Sequence, residues 1–75
     1  MAVYPNPSNG SFDVLLSGFS GNIQLEVTDV LGNAIQQLRS SGPQTRIDLG
    51  NQANGIYILK ASDGTQTLTK KIVVE

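Results

Sequence analysis

The chain contains no cysteine, no histidine and no tryptophan among its 75 residues. Without cysteine, no disulfide can hold the fold together. Without cysteine and histidine, the thiolate and imidazole ligands of most zinc sites are missing. A Ser-His-acid triad is excluded for the same reason. We therefore predict no catalytic residue, no metal site, and no cofactor or cofactor-binding residue.

Charge is also scarce, because the formal net charge is −1 and the chain holds five basic and six acidic residues. The basic residues are scattered apart from Lys70-Lys71, which leaves no footprint for a nucleic-acid backbone. No apolar run approaches the roughly 18 residues of a membrane helix, so membrane insertion is not expected. The length allows one domain, residues 1–75. Met1-Ala2 are interpreted as additions at the start of a piece taken from a larger protein.

Eight glycines, three prolines and few strong helix formers in succession predict an all-β fold. Apolar residues alternate with polar ones over residues 11–17, 22–28 and 45–49, which is the period of a sheet with one wet face. Residues 34–39 alternate less well, because Ile35 and Leu38 are out of phase, and a bulge or an early end is expected there. About seven short strands result, counting Val3-Tyr4, and they suit a two-layer sandwich.

Residues 55–74 predict the last hairpin, in which two β-rich runs flank Asp63-Gly64. A two-residue turn at this dipeptide would place Ser62 opposite Thr65 and Leu59 opposite Leu68. A hairpin alone is marginal in water, so its apolar face needs a second layer. That face carries Tyr57, Leu59, Ala61, Leu68, Ile72 and Val74.

Residues 29–33 predict the connection between two earlier strands. Asp29 can bond the amides of its own turn, and Gly32 can adopt left-handed geometry. The alternative is that Asp29 is a metal or catalytic carboxylate, but it has no partner nearby in sequence. The six acidic residues are dispersed, and a carboxylate pair would require two of them to meet across strands.

Four segments resemble the type A C-terminal sorting domain of type IX secretion cargo from Bacteroidetes-type bacteria. They are YPNPSNGSF at residues 4–12, VTDVLGN at 27–33, GIYILK at 55–60 and KKIVV at 70–74. Each segment is weak evidence alone, whereas four in the right order over nearly the whole chain are specific.

The resemblance implies a small immunoglobulin-like β-sandwich fused to the C-terminus of an exported cargo protein. It implies transit through the periplasm to the outer membrane, recognition by the translocon, and removal by a sortase upstream of Tyr4. The cargo would then be secreted or held at the cell surface, and the domain itself would not be an enzyme. The matching positions with a structural role are Pro5, Asn6, Pro7, Gly10, Asp29, Gly32, Gly55, Tyr57 and Gly64.

The candidates for recognition by a partner are Lys70, Lys71, Ile72, Val73 and Val74, a terminal strand whose edge a partner strand could extend. Composition alone does not separate a docking role of Lys70-Lys71 from protection of an edge strand against aggregation. Such an edge could also give a strand-swapped homodimer. The alternative functions are an immunoglobulin-like adhesion or carbohydrate- or protein-binding module and, less favoured, a small hydrolase.

Overall fold

A computed structural model describes residues 1–5, 9–50 and 52–75 of the chain. The described residues form seven strands and no helix. The strands are β1 (Ala2–Tyr4), β2 (Ser11–Leu15), β3 (Ile23–Asp29), β4 (Ala34–Ser40), β5 (Gln44–Asp48), β6 (Gly55–Ser62) and β7 (Thr67–Val74).

The strands make two antiparallel sheets. One sheet has three strands in the order β1-β2-β5, and the other has four in the order β4-β3-β6-β7. The prediction of an all-β, two-layer fold with about seven short antiparallel strands is confirmed. Val3-Tyr4 does pair, because Val3 lies opposite Val14 in β2.

The core lies between the two sheets and follows the predicted alternation. Phe12, Val14 and Leu16 enter it from the three-stranded side, and Phe19 and Leu38 pack against its margin. Its remaining members are Ile23, Leu25, Val27, Ile47, Leu49, Tyr57, Leu59, Ala61, Ile72 and Val74. Leu68 is the exception to the prediction, because 41% of its surface is exposed. The first five residues of β7 are all exposed, so this half of the strand contributes nothing to the core.

The predicted bulge lies in β4. Val27 pairs with Gln36 and Thr28 with Ala34, so Ile35 is the extra residue on the bulged strand. The bulge brings Ile35 and Leu38 to the same side, and both pack against the core. The strand does not end early, since its pairing with β3 continues to Ser40.

The two-residue turn predicted at Asp63-Gly64 is wrong. Ser62 pairs with Thr67, and the loop between them has four residues, 63–66. A type I′ turn needs positive φ at both central residues, whereas only Gly64 is positive here, at 89°. The Asp63 side chain accepts hydrogen bonds from the amides of Thr65 and Gln66, which favours the wider loop. The register moves by two residues, so Leu59 faces Lys70 and each side chain keeps its predicted face.

Candidate functional site

The predicted recognition strand lies at one edge of the four-stranded sheet, where β7 pairs with β6. Its alternation divides the five candidate residues. The side chains of Ile72 and Val74 are 0% and 4% exposed and belong to the core. Those of Lys70 and Lys71 are exposed, and Val73 is half-buried on the outer face of the sheet. A partner could therefore contact Lys70, Lys71 and Val73 directly, whereas the other two residues hold the strand in place.

Tyr57 lies near the start of β6, opposite Ile72. Its ring is 6% exposed, and its hydroxyl donates a hydrogen bond to the backbone carbonyl of Ala53 in the preceding loop. The side chain thus fills the core and also fastens the β5–β6 connection to the sandwich. Gly55 is the first residue of β6 and pairs with Val74.

Asp29 closes the β3–β4 turn. Its Oδ1 accepts hydrogen bonds from the amides of Leu31 and Asn33, both at 2.9 Å, and its Oδ2 accepts one from the Asn33 side-chain amide at 3.2 Å. These bonds, the Asn33 amide first, hold the pKa of the Asp29 carboxyl below its ordinary value. Gly32 adopts a φ of 91° in the same turn. Both carboxylate oxygens are therefore used by the turn, which argues against a metal or catalytic role.

Asp63 connects two loops that are distant in sequence. Besides its own turn, it accepts a hydrogen bond from the amide of Ser20 at 3.2 Å. The side-chain amide of Gln66 donates to the carbonyl of Gly18 at 2.6 Å. The amides of Gln66 and Thr65, in that order of effect, hold the pKa of the Asp63 carboxyl below its ordinary value. The β6–β7 turn is thereby tied to the β2–β3 loop.

The N-terminal segment is described only in part. The peptide bond between Tyr4 and Pro5 is cis, and the Tyr4 hydroxyl accepts a hydrogen bond from the Gln44 side chain at 3.3 Å. The predicted motif residues Asn6 and Pro7 lie outside the described residues. Gly10 has a φ of 108°, and a Cβ there would contact the carbonyl oxygen of Gly50 at 3.5 Å. Its own carbonyl accepts a hydrogen bond from Leu49 at 2.8 Å, so it holds the start of β2 beside the end of β5.

The outer face of the four-stranded sheet, directed away from the core, was not identified as a site from the sequence. One half is polar and forms a shallow depression of about 420 Å³. Among its lining residues, Gln37 donates a hydrogen bond to Glu26 at 2.7 Å. The other half carries Ile56 and Ile58, paired with Val73 and Lys71. The sequence feature that could have indicated this face is the presence of two β-branched residues, Ile56 and Ile58, on the solvent side of β6.

Neither metal-binding nor membrane-spanning elements emerge from the described residues. Over ranges 1–5, 9–50 and 52–75, no three acidic, histidine or cysteine side chains converge on a point. That same part of the chain has no helix with the length and apolar character needed to cross a membrane. Within the same described residues, an ion pair joins Arg46 to Asp13 at 3.3 Å on the outer side of the three-stranded sheet.

Comparison with known proteins gives one result that bears on function. None of the curated proteins matches the chain. A family model described as the secretion system C-terminal sorting domain matches residues 2–75. The match spans all four segments noted in the sequence. The chain belongs to the family of C-terminal sorting domains of type IX secretion.

Proposed function

We propose that this domain directs a cargo protein, fused to its N-terminal side, across the outer membrane by type IX secretion. The observation that carries the proposal is the family match over residues 2–75. Domains of this family are sorting signals for type IX secretion and are not enzymes. The domain, as residues 1–75, acts as a single signal and has no catalytic activity of its own.

The family implies export toward the outer membrane or the cell surface through contact with the type IX machinery. Beyond this, we propose that the folded domain is presented in the periplasm and recognised by the translocon. A sortase then removes it upstream of Tyr4. In support, β1 pairs at the edge of the three-stranded sheet, so a cargo attached ahead of it would leave the sandwich at its periphery.

The recognition residues remain Lys70, Lys71, Ile72, Val73 and Val74 in this proposal, with different roles. Lys70 and Lys71 present charge to the partner, because both side chains are exposed. Ile72 and Val74 act through the fold, because removing them would open the core. Deletion of residues 70–75 therefore cannot distinguish loss of recognition from unfolding, whereas replacement of the two lysines can.

We further propose that the sandwich is immunoglobulin-like. In that fold the first, second and fifth strands share one sheet, and the third, sixth and seventh share the other in that order. The strand orders β1-β2-β5 and β3-β6-β7 support this, with β4 at the edge beside β3. The hydrogen bond from the Tyr57 hydroxyl to Ala53 is of the kind called a tyrosine corner in such sandwiches.

The alternative function is a binding module for a carbohydrate or a protein. The depression on the four-stranded sheet favours it, because Gln24, Gln37 and Lys60 offer several hydrogen-bonding groups there. Among the residues that the structure describes, no aromatic side chain lines the depression, although stacking on sugar rings would need one. Phe19, the aromatic residue in the β2–β3 loop, packs against the core margin. Sorting therefore ranks above binding.

The decisive experiment joins residues 3–75 to the C-terminus of a fluorescent protein that carries an inner-membrane signal peptide. The fusion is expressed in a type IX-competent bacterium and in a strain without a working translocon. We expect fluorescence outside the first strain and retention in the second. Retention in both strains, with the domain shown to be folded, would contradict the proposal and favour the binding module.

Two variants of the same fusion separate recognition from folding. Replacing Lys70 and Lys71 with Gln removes two charges from exposed side chains, and we expect less export from a domain that remains folded. The matched control is Arg46→Gln, which removes one exposed charge on the other sheet. Equal export of the wild-type fusion and both variants would show that the translocon does not recognise the two lysines.

A further inference from the structure

The outer face of the four-stranded sheet has an exposed apolar half. Ile56 and Ile58 of β6 alternate with the buried Tyr57 and Leu59, so both point away from the core. Val73 lies opposite Ile56. Val30 directly follows Asp29, the partner of Tyr57, and so lies at the same end of the sheet. We call Val30, Ile56, Ile58 and Val73 the outer apolar patch.

This patch is unusual for the wet side of an antiparallel sheet, which normally alternates to polar residues. Val30 is 69% exposed and Ile56 is 45% exposed, whereas Ile58 and Val73 are half-buried. Leu31, the next residue in the β3–β4 turn, is more exposed still. Contiguous exposed apolar groups on a small soluble domain commonly mark a surface that another molecule covers. Three of the four segments that resemble the family contribute to it, namely residues 27–33, 55–60 and 70–74.

Charge is distributed unevenly around the patch. Arg39, Lys60 and Lys71 lie on the outer face, paired with Gln24, Glu26 and Ile58 respectively. Of the residues in these three pairs, Glu26 is acidic, and its side chain accepts a hydrogen bond from Gln37. Within the described residues, Arg39 and Lys60 form no ion pair. This face is therefore basic although the whole chain carries a net charge of −1.

Four of the five remaining acidic residues lie away from the patch or are held in turns. Asp13 pairs with Arg46 on the other sheet, and Asp48 lies near it on β5. Asp29 and Asp63 are engaged in their turns. Glu75 is the exception, because it follows the end of β7 two residues after Val73 and so lies near one end of the patch. Lys71, opposite Ile58, and Lys60, two residues after Ile58 in β6, therefore border the patch on the side away from Glu75, whereas Arg39 lies farther along the same face, opposite Gln24. A complementary surface would be apolar with an acidic border on that side.

A second copy of this domain fits the face poorly. In a two-fold symmetric contact the same face meets itself, so two faces with the same net positive charge would be brought together. Juxtaposed like charges oppose such a contact. The charge pattern therefore favours a different protein over a homodimer on this face.

We propose that the outer apolar patch and the cations of the same face, Lys60 and Lys71 beside it and Arg39 farther along the sheet, dock on a protein of the type IX machinery. The complementary surface is an apolar strip bordered by acidic residues. This inference rests on the proposed sorting function and assigns the contact to the sheet face. The apolar side chains supply buried area, and the cations select the partner and speed the encounter.

The test uses the fluorescent fusion with a double variant, Val30→Thr and Ile56→Thr. Threonine keeps the β-branched shape, so the strands should persist while the patch becomes polar. The matched control is Leu68→Thr, because Leu68 is 41% exposed but lies on the opposite face of the sheet. We expect the exported fraction of the double variant to fall by about tenfold, with the control near wild type. Equal export of both variants would overturn the proposal.

Photocrosslinking decides the matter independently of export. A photoreactive benzoylphenylalanine replaces Ile56 in one fusion and Leu68 in another, in cells with the machinery. A crosslink from position 56, and not from 68, to a component of the type IX machinery supports the proposal. Crosslinks only to a second copy of the domain, or none from position 56, overturn it. Failed export of the wild-type fusion would refute the sorting function while the crosslink still tests the face.

Two further measurements test the contribution of the cations and the binding of a lipid surface. Arg39→Gln with Lys60→Gln should weaken the crosslink from position 56, whereas Arg46→Gln on the other sheet should not. The purified domain is also mixed with phosphatidylglycerol vesicles. Binding that is lost in the Val30→Thr, Ile56→Thr variant would identify a lipid surface as the occupant and overturn the protein partner.

Discussion

Replacement of Tyr57 with Phe removes one oxygen atom from the core margin and leaves the ring in place. The oxygen donates a hydrogen bond to the Ala53 carbonyl. A hydrogen bond of this kind contributes about 0.5–1.5 kcal/mol net. Because Ala53 is exposed, water can replace the lost donor, and we expect a cost of about 1 kcal/mol. For a domain of 60–100 residues this corresponds to a fall in melting temperature of about 4–8 °C.

The larger truncation sets the scale. Tyr57→Ala also removes a ring that is 6% exposed, at a cost of about 3–5 kcal/mol. The total free energy of unfolding of a 75-residue chain is about 4–11 kcal/mol. The phenylalanine variant should therefore remain folded and be exported, whereas the alanine variant approaches unfolding.

Urea denaturation of the wild type and both variants measures these differences, provided that the m-values agree. A change within about 0.5 kcal/mol of zero for Tyr57→Phe is typical of a surface substitution. That result would mean that the hydroxyl does not fasten the β5–β6 loop. A loss as large as that of the alanine variant would mean that the hydrogen bond, and not the packing of the ring, holds this corner.

Three further predictions concern stability. Because turn amides hold the pKa of Asp29 and Asp63 below the ordinary value, their ionised forms stabilise the fold above about pH 4. This contribution should be lost as pH falls through the lower folded pKa. With Asn at both positions, the free energy of unfolding measured by urea denaturation should depend less on pH in that range. Gly32→Ala forces a positive φ on alanine and should cost about 1–2 kcal/mol, whereas Gly42→Ala, at a residue without positive φ, should cost little. Leu59→Ala in the core should cost about 2–5 kcal/mol by the same assay.

Period-2 alternation was sufficient to predict which side chains enter the core, because a strand has only two faces. Val14, Leu25 and Ile47 are buried as expected. The register of the last hairpin was not predictable in the same way. Asp63-Gly64 suits both a tight turn and a wider loop, and the choice depends on amides that follow Asp63 and on Ser20, 43 residues earlier. The two-residue error left every face unchanged.

The candidate site was less predictable than the fold. Ile56 and Ile58 could be placed on the outer face from the alternation of β6, but exposure depends on whether another layer covers that face. Strand order decides this, since the three-stranded sheet covers one side of the four-stranded sheet. Residues distant in sequence, such as Thr28 and Lys71, lie on either side of Ile58 only through that order. The family match indicates a sorting signal without locating the contact.

The hydrogen bonds from Ser20 to Asp63 and from Gln66 to Gly18 also have a consequence for local opening. They join a loop that crosses between the sheets to the tip of the last hairpin. The Ser20 amide can exchange its hydrogen with water only after this link breaks. The Ser20 amide hydrogen should therefore exchange at the same rate of opening as the amide hydrogens of Thr65 and Gln66, although these residues are distant in sequence. One end of the sandwich would then open as a single unit, while the β3–β4 turn at Asp29 exchanges on its own.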